Sequence, residues 1–496
     1  MSRLLNLFSS TTAKAEALTP SKDLGDQKLA ANLPGGVDAL SLRGQSERTN
    51  ISCIAQKGLH VSCNITAAQE AGNDDKRLPV EIAIALDVSG SMGGNKIELC
   101  KDTLNLILKY LLPKDKISIT TFDTDVTRCF DLLPMNDRNK QRYESTVKKV
   151  RAGSATNLSG GLMDAISILK RSETKGNIVK ACILLTDGHA NNGIRDMGKL
   201  AKIVKQELAG TAISLFTYGY GADHNVNALQ KLSQASDGGS YYFVDKEDNI
   251  SSAIGDCLGG IMSVVAQNIV LEAKAVNSEV SITNCYEESR EVNISKDGTY
   301  TIKFGDLYAG ERRDTIFAID VDPARGPAAH VPLVRFKIKY LDAMNECIKE
   351  CEATCEIDRL EDNEVDPTKT NQSVSMQVAR VVVAKALSEA NKHADKHELN
   401  EGKQILMKGI AYAKSMESKV DDKQALEALI QDLHDAMQAM KTQHSWRGAA
   451  GYSTKSKAMM HMQQRCNESN EMAYNSYRTA RKSAVSHSMK ARIKKF

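Results

Sequence analysis

The spacing of apolar positions changes character several times along the chain. Residues 1–48 show little periodicity and are rich in Ser, Thr, Ala, Gly and Lys, which reads as a flexible N-terminal segment. In residues 49–77, the runs 51–55 and 59–66 read as two strands joined at Lys57-Gly58. Residues 78–262 alternate two periods. Strand-like runs at 80–86, 116–122, 178–186, 212–218 and 240–244 are separated by helical spacings at 96–112, 138–150, 158–170, 197–208, 226–236 and 249–263. In 96–112 the apolar positions are Ile97, Leu99, Leu104, Ile107, Leu108 and Leu111. The run 178–186 is continuously apolar, as a strand covered on both faces should be. Strands separated by such helices predict an α/β unit with a doubly wound, mostly parallel sheet and right-handed crossovers.

Residues 263–362 carry strand patterns only, with turns such as Lys296-Asp297-Gly298 and Ala309-Gly310-Glu311, and predict a β-sandwich. The two strands before residue 78 have no helical partners. They are expected to join this sandwich, making the α/β unit an insertion. Residues 370–443 carry long helical spacings and predict a hairpin or small bundle. Residues 444–496 read as a basic, largely flexible tail: from Tyr477 onward there are seven basic residues and no acid.

Composition narrows this only a little. At 496 residues the chain exceeds one core, and 42% hydrophobic residues allow several. Lys and Arg number 65 against 62 Asp and Glu, which argues against a protein devoted to nucleic acid or membrane surfaces. No apolar run reaches the roughly 18 residues of a membrane span. The start, Met1 to Phe8, falls short of a secretory signal. The 11 cysteines are odd in number and scattered, which fits reduced thiols and a cytoplasmic location.

Candidate chemistry gathers at the ends of the predicted strands. Asp87-Val88-Ser89-Gly90-Ser91 follows the first strand of the α/β unit and turns three oxygens toward one point. Gly153-Ser154-Ala155-Thr156-Asn157-Leu158 precedes a helix and adds the Thr156 hydroxyl. Thr186-Asp187-Gly188 ends the most hydrophobic strand and adds a second carboxylate at the same sheet edge. Oxygen donors alone suit a hard cation, Mg²⁺ above all.

Asp-x-Ser-x-Ser, the Thr156-Asn157 loop and Thr-Asp-Gly together resemble the von Willebrand factor A domain with a complete metal-ion-dependent adhesion site (MIDAS), over about residues 78–262. The resemblance implies a Rossmann-like fold. It also implies that Ser89 and Ser91 bind Mg²⁺ (or Mn²⁺) directly, and that Asp87, Thr156 and Asp187 contribute directly or through water. The remaining position would take an exposed Asp or Glu of a protein partner, which describes binding rather than turnover. Oligomeric state is not legible.

The strands and helices after the domain, with His444-Ser445-Trp446-Arg447 and the run Lys457 to Arg465, resemble plant WAVY GROWTH-type ubiquitin ligases. The RING finger of that family has no counterpart. Cys347, Cys351 and Cys355 lack Cys-x-x-Cys pairs, and four-residue spacing on a strand sets successive sulfurs roughly 13 Å apart. Two alternatives to a stand-alone interaction module follow: a substrate-recruiting subunit of a ligase complex, and a scaffold on nucleic acid or membrane through the basic tail. Asp123 and Asp125 read as turn carboxylates or a rim of the cation site, and His189 as a ligand-face or loop residue. Gly219 and Gly221 read as turn residues, and Trp446 as an anchor for the tail or a partner contact.

Overall fold

The apolar run at residues 80–86 becomes the strand Val80–Asp87, buried along its whole length. The chain is described by a computed structural model covering residues 38–69, 77–173, 176–221, 224–244, 247–343, 345–366, 368–465 and 477–493. Val80–Asp87 lies inside a six-stranded sheet in the order Val126–Pro134, Lys116–Phe122, Val80–Asp87, Val179–Thr186, Ile213–Tyr220, Ser240–Val244. Only the edge pair is antiparallel; every other pairing is parallel. Strand alternation splits Val80–Asp87 between two cores. Ile82, Ile84 and Leu86 face the helices Asn95–Tyr110, Asp137–Lys149 and Glu247–Ile261. Ala83 and Ala85 face Leu158–Lys170, Met197–Leu208 and Val226–Ser233. The sheet is therefore doubly wound.

Two further sheets form the sandwich. One runs Leu40–Ser46, Gln56–Ala67, Arg312–Val321, Val280–Cys285. The other runs Val292–Ile294, Tyr300–Phe304, Val264–Ala275, Ala328–Asp342, Cys347–Leu360, Asn50–Ser52, with Leu307–Tyr308 beside Val264–Ala275. Their inner faces share one core that includes Val61, Leu271, Phe317, Phe336 and Cys355. Segments on either side of the α/β unit pair directly: Gln56–Ala67 with Arg312–Val321, and Asn50–Ser52 with Cys347–Leu360. The α/β unit is thus inserted into the sandwich. The expected flexible segment needs correction, because Leu40–Ser46 is a strand paired with Gln56–Ala67 over its full length. Its alternation is weak because Gly44 and Ser46 take the inward positions that follow Leu40 and Leu42, and the pairing comes from its neighbour. Residues 1–37 lie outside the described residues.

The helical part contains Gln372–Asp395, Leu399–Ser415 and Lys423–Ala439, packed around Val382, Leu387, Leu406 and Leu433. The flexible-tail expectation is also corrected over residues 444–465 and 477–493, while 466–476 and 494–496 lie outside the described residues. Gln443–Trp446, Ala449–Gln463 and Ala480–Ile493 are helices, and Lys457, His461, Gln463, Gln464, Arg465 and Lys482 are buried. Lys457 pairs with Asp432 at 2.8 Å and with Asp435 at 2.6 Å; His461 Nε2 lies 2.9 Å from Asp432. Trp446 is 3% exposed and donates from Nε1 to Asp395 at 3.0 Å, so it anchors the tail. Ala480–Ile493 lies against Glu247–Ile261. A Cβ on Gly259 would stand 2.8 Å from the Cα of Lys482, so only glycine permits this approach. Asp256 receives Lys482 at 3.1 Å and Arg478 at 3.7 Å, which removes two tail cations from any nucleic-acid or membrane role. The ten cysteines among the described residues are free thiols, and no described helix is long and apolar enough to cross a membrane.

Candidate metal centre

Register brings the predicted site residues to one edge. Val80–Asp87 pairs with Val179–Thr186 from Val80 opposite Val179 to Leu86 opposite Leu185, and with Lys116–Phe122 up to Asp87 opposite Phe122. Asp87 and Thr186-Asp187 therefore leave neighbouring parallel strands side by side. The chain continues from Val80–Asp87 to a strand on one side and later returns to the other. This is the switch point where open α/β sheets leave a crevice.

Each loop is fixed from within. Asp87 Oδ1 accepts from Ser89 N at 2.9 Å, and Oδ2 accepts from Thr186 Oγ1 at 2.6 Å. The Ser89 and Ser91 hydroxyls lie 3.1 Å apart. Gly90 N donates to Ser154 O at 3.0 Å, and Gly153 N donates to Val88 O, so the Thr156 loop is stitched to the serine loop. Asn191 holds Thr156 from the other side. Its Oδ1 accepts from Thr156 N at 2.7 Å and its own N–H returns to Thr156 O at 3.3 Å. Gly188, with φ near +75°, turns the chain so that its N–H reaches Thr186 Oγ1 at 2.9 Å. Asp187 Oδ2 meets Lys96 Nζ at 3.2 Å.

Asp87 and Asp187 have no exposed surface, Ser89 has 1% and Thr156 has 2%, while Ser91 is exposed. Burial pushes the Asp87 carboxyl up to about 6; hydrogen bonds from Ser89 and Thr186 pull it back, and the charge of Asp187 adds to the rise. Two buried like charges beside hydroxyl oxygens are a costly arrangement that a divalent cation relieves. The donors, two carboxylates and three hydroxyls, have the hardness that Mg²⁺ or Mn²⁺ requires. By this test the residues fit the ion. Among the described residues no group of three or more His, Cys, Asp or Glu could hold a metal, so any cation site here depends on hydroxyl donors.

The neighbouring candidates fall into place. Asp123 Oδ1 accepts from Asp125 N at 3.0 Å, which is turn chemistry. His189 is exposed, and its N–H lies 3.4 Å from Asp187 Oδ1. Gly219 packs on the buried ring of His224, and Gly221 has φ near +82°. Cys347, Cys351 and Cys355 follow one another along the strand Cys347–Leu360, with Cys355 turned into the sandwich core. Sequence reasoning missed three contributors: Thr186 as partner of Asp87, Asn191 as the support of Thr156, and Lys96. Thr186 stood inside the recognised motif. Asn191 and Lys96 carried no separate signal.

The profile of the von Willebrand factor type A domain matches residues 81–256. The chain is 24% identical over 266 residues to the E3 ubiquitin-protein ligase WAV3 of Arabidopsis thaliana, covering 52% of this chain and 33% of that protein. It is 31% identical over 166 residues to the inter-alpha-trypsin inhibitor heavy chain H3 of Rattus norvegicus, covering 32% and 19%. The chain thus spans a third or less of the length of these relatives. Among solved structures, a von Willebrand factor type A protein from Catenulispora acidiphila superposes with a TM-score of 0.62 at 16% identity, covering 82% of this chain and 90% of that one. The ArnB paralog VWA2 from Sulfolobus acidocaldarius gives 0.54 at 18% identity, covering 86% and 98%. At these identities the two structures share the fold.

Proposed function

Because the chain carries a von Willebrand factor type A domain, generally a protein-interaction module, we propose that it binds a protein partner through a Mg²⁺ (or Mn²⁺) ion and carries out no chemistry of its own. Asp87, Ser89, Ser91, Thr156 and Asp187 would hold the ion, and the partner would offer an exposed Asp or Glu. The observation that supports this most is the juxtaposition of two fully buried carboxylates at the ends of neighbouring strands. Bound there, the ion supplies an electrophilic position for the partner's carboxylate. The protein's own share is positional. Thr186 and the Ser89 amide fix Asp87, Asn191 fixes Thr156, and burial keeps bulk water from the two acids.

The test immobilises the full chain and compares partners retained from a cell extract with and without EDTA, and with Asp87→Ala. Partners should be lost in both cases while circular dichroism stays unchanged. Partners that survive both would remove the cation site from recognition.

A second reading draws on one observation: the match to the ubiquitin ligase WAV3 is longer than the 81–256 domain alone. On this reading the chain recruits substrates for a ligase complex whose RING belongs to another subunit. It requires a co-purifying RING protein and ubiquitin transfer to the captured partner. A purified complex without transfer activity would end it.

A further inference from the structure

Lys96 stands where helix electrostatics disfavours it. It is the second residue of Asn95–Tyr110, in a first turn where the helix dipole favours acids, and Glu98 is the acid there. A residue that breaks a local rule needs a reason in the tertiary structure. Here its ammonium reaches 3.2 Å from Asp187 Oδ2, with side-chain exposures of 17% for Lys96 and 0% for Asp187. Asp187 is anchored independently: its carbonyl accepts from Asn225 N at 2.9 Å, and Oδ1 lies 3.4 Å from His189 N. The acid is held by backbone, whereas the lysine is joined to its helix by a flexible four-carbon stem.

We propose that Lys96 is a tethered counter-ion of the cation site, which occupies Asp187 in the metal-free protein and must swing away when a divalent ion binds. The inference rests on the metal reading above. The ammonium shares a carboxylate oxygen that the ion, or a water on it, would use, so the two cations compete. Competition stabilises the empty site, where two buried carboxylates would otherwise face each other, and it weakens divalent binding. Lys96 then sets the ion concentration at which the adhesion surface becomes competent.

The experiment titrates Mn²⁺ into the full chain and follows the free-ion signal by electron paramagnetic resonance, with Mg²⁺ as competitor. Wild type is compared with Lys96→Met, which keeps the stem, and Lys96→Arg, which keeps the charge; Asp87→Asn marks the site. Lys96→Met should bind Mn²⁺ tighter by about tenfold or more, since a unit charge at contact distance is removed from the ion's position. Lys96→Arg should stay near wild type. In EDTA, Lys96→Met should melt lower than wild type and regain that loss with Mn²⁺. If Lys96→Met unfolds in EDTA, Lys96→Gln replaces it under the same expectation. Binding by Lys96→Met while wild type shows none would also support the proposal. Equal or weaker binding by Lys96→Met, with Asp87→Asn defective, overturns the counter-ion role and leaves the metal reading intact. No Mn²⁺ binding by any variant overturns both.

Discussion

Arg465 offers the sharpest test of how the three parts are held together. It is 4% exposed and follows the helix Ala449–Gln463. One guanidinium N–H donates to Gly238 O at 2.7 Å in the α/β unit, and Nε pairs with Glu311 at 3.1 Å in the sandwich. A further N–H reaches Asp306 O, and the plane lies 4.3 Å from the Tyr308 ring centroid. The two residues before it act alongside. Gln463 Nε2 donates to Gly239 O at 3.3 Å. The Gln464 amide exchanges two 2.9 Å hydrogen bonds with the backbone of Asp314. Arg465→Met keeps much of the volume and removes every donor. Glu311 retains Arg313, which limits the cost of its lost partner, but two buried carbonyls lose their donor. The expected loss is about 3–5 kcal/mol, a large share of the roughly 5–15 kcal/mol that stabilises a domain. Trp446, the single tryptophan, is 3% exposed and reports on the helical part by fluorescence during urea unfolding. The variant's midpoint should fall at an unchanged slope, with Arg465→Lys between it and wild type. A loss below about 1 kcal/mol would refute the idea that this guanidinium pins the parts together.

Two more outcomes follow from single buried positions. Burial pushes Asp306 up to about 6, against the pull of Arg465 and of hydrogen bonds from Gln267 and Ser214. Its folded value lies above its unfolded one, so its contribution to stability is complete below about pH 4 and is lost as pH rises through 6, by about 3 kcal/mol in all. Urea midpoints taken from pH 4 to 7 should decline less in Asp306→Asn than in wild type, and parallel declines would contradict the assignment. Gly161→Ala should destabilise although alanine favours helices. Its Cβ would sit 2.2 Å from Phe122 Cδ1, and overpacking of about 1–3 kcal/mol exceeds the roughly 1 kcal/mol of helix propensity gained. Because Phe122 lies opposite Asp87 in the sheet, the same variant should weaken Mn²⁺ binding; a more stable variant would refute the packing argument.

The α/β unit was legible because its signals are local. A buried strand such as Val80–Asp87 declares itself by a continuous apolar run, and Asp87, Ser89 and Ser91 sit two residues apart where that run ends. The sandwich was legible from its turns, and its discontinuity from two strands lacking helical partners. The tail was misread for the same reason. Ala449–Gln463 buries Thr454, Ser456, Lys457 and His461 along with the consecutive Ala458, Met459 and Met460, so its buried positions follow no apolar stripe and its period says nothing about burial.

The sequence by itself determined the alternation of strand and helix, the sandwich strands, and the presence of two acids and three hydroxyls at strand ends. These depend on a side chain's own polarity and on neighbours a few positions away. Tertiary structure alone decided that Lys96 meets Asp187, that Asn191 supports Thr156, and that the basic tail is a folded clasp. A buried charge is stable only beside its partner. Those partners lie far off along the chain: 91 residues for Lys96 and Asp187, 154 for Arg465 and Glu311, and 226 for Lys482 and Asp256. No local period records such distances.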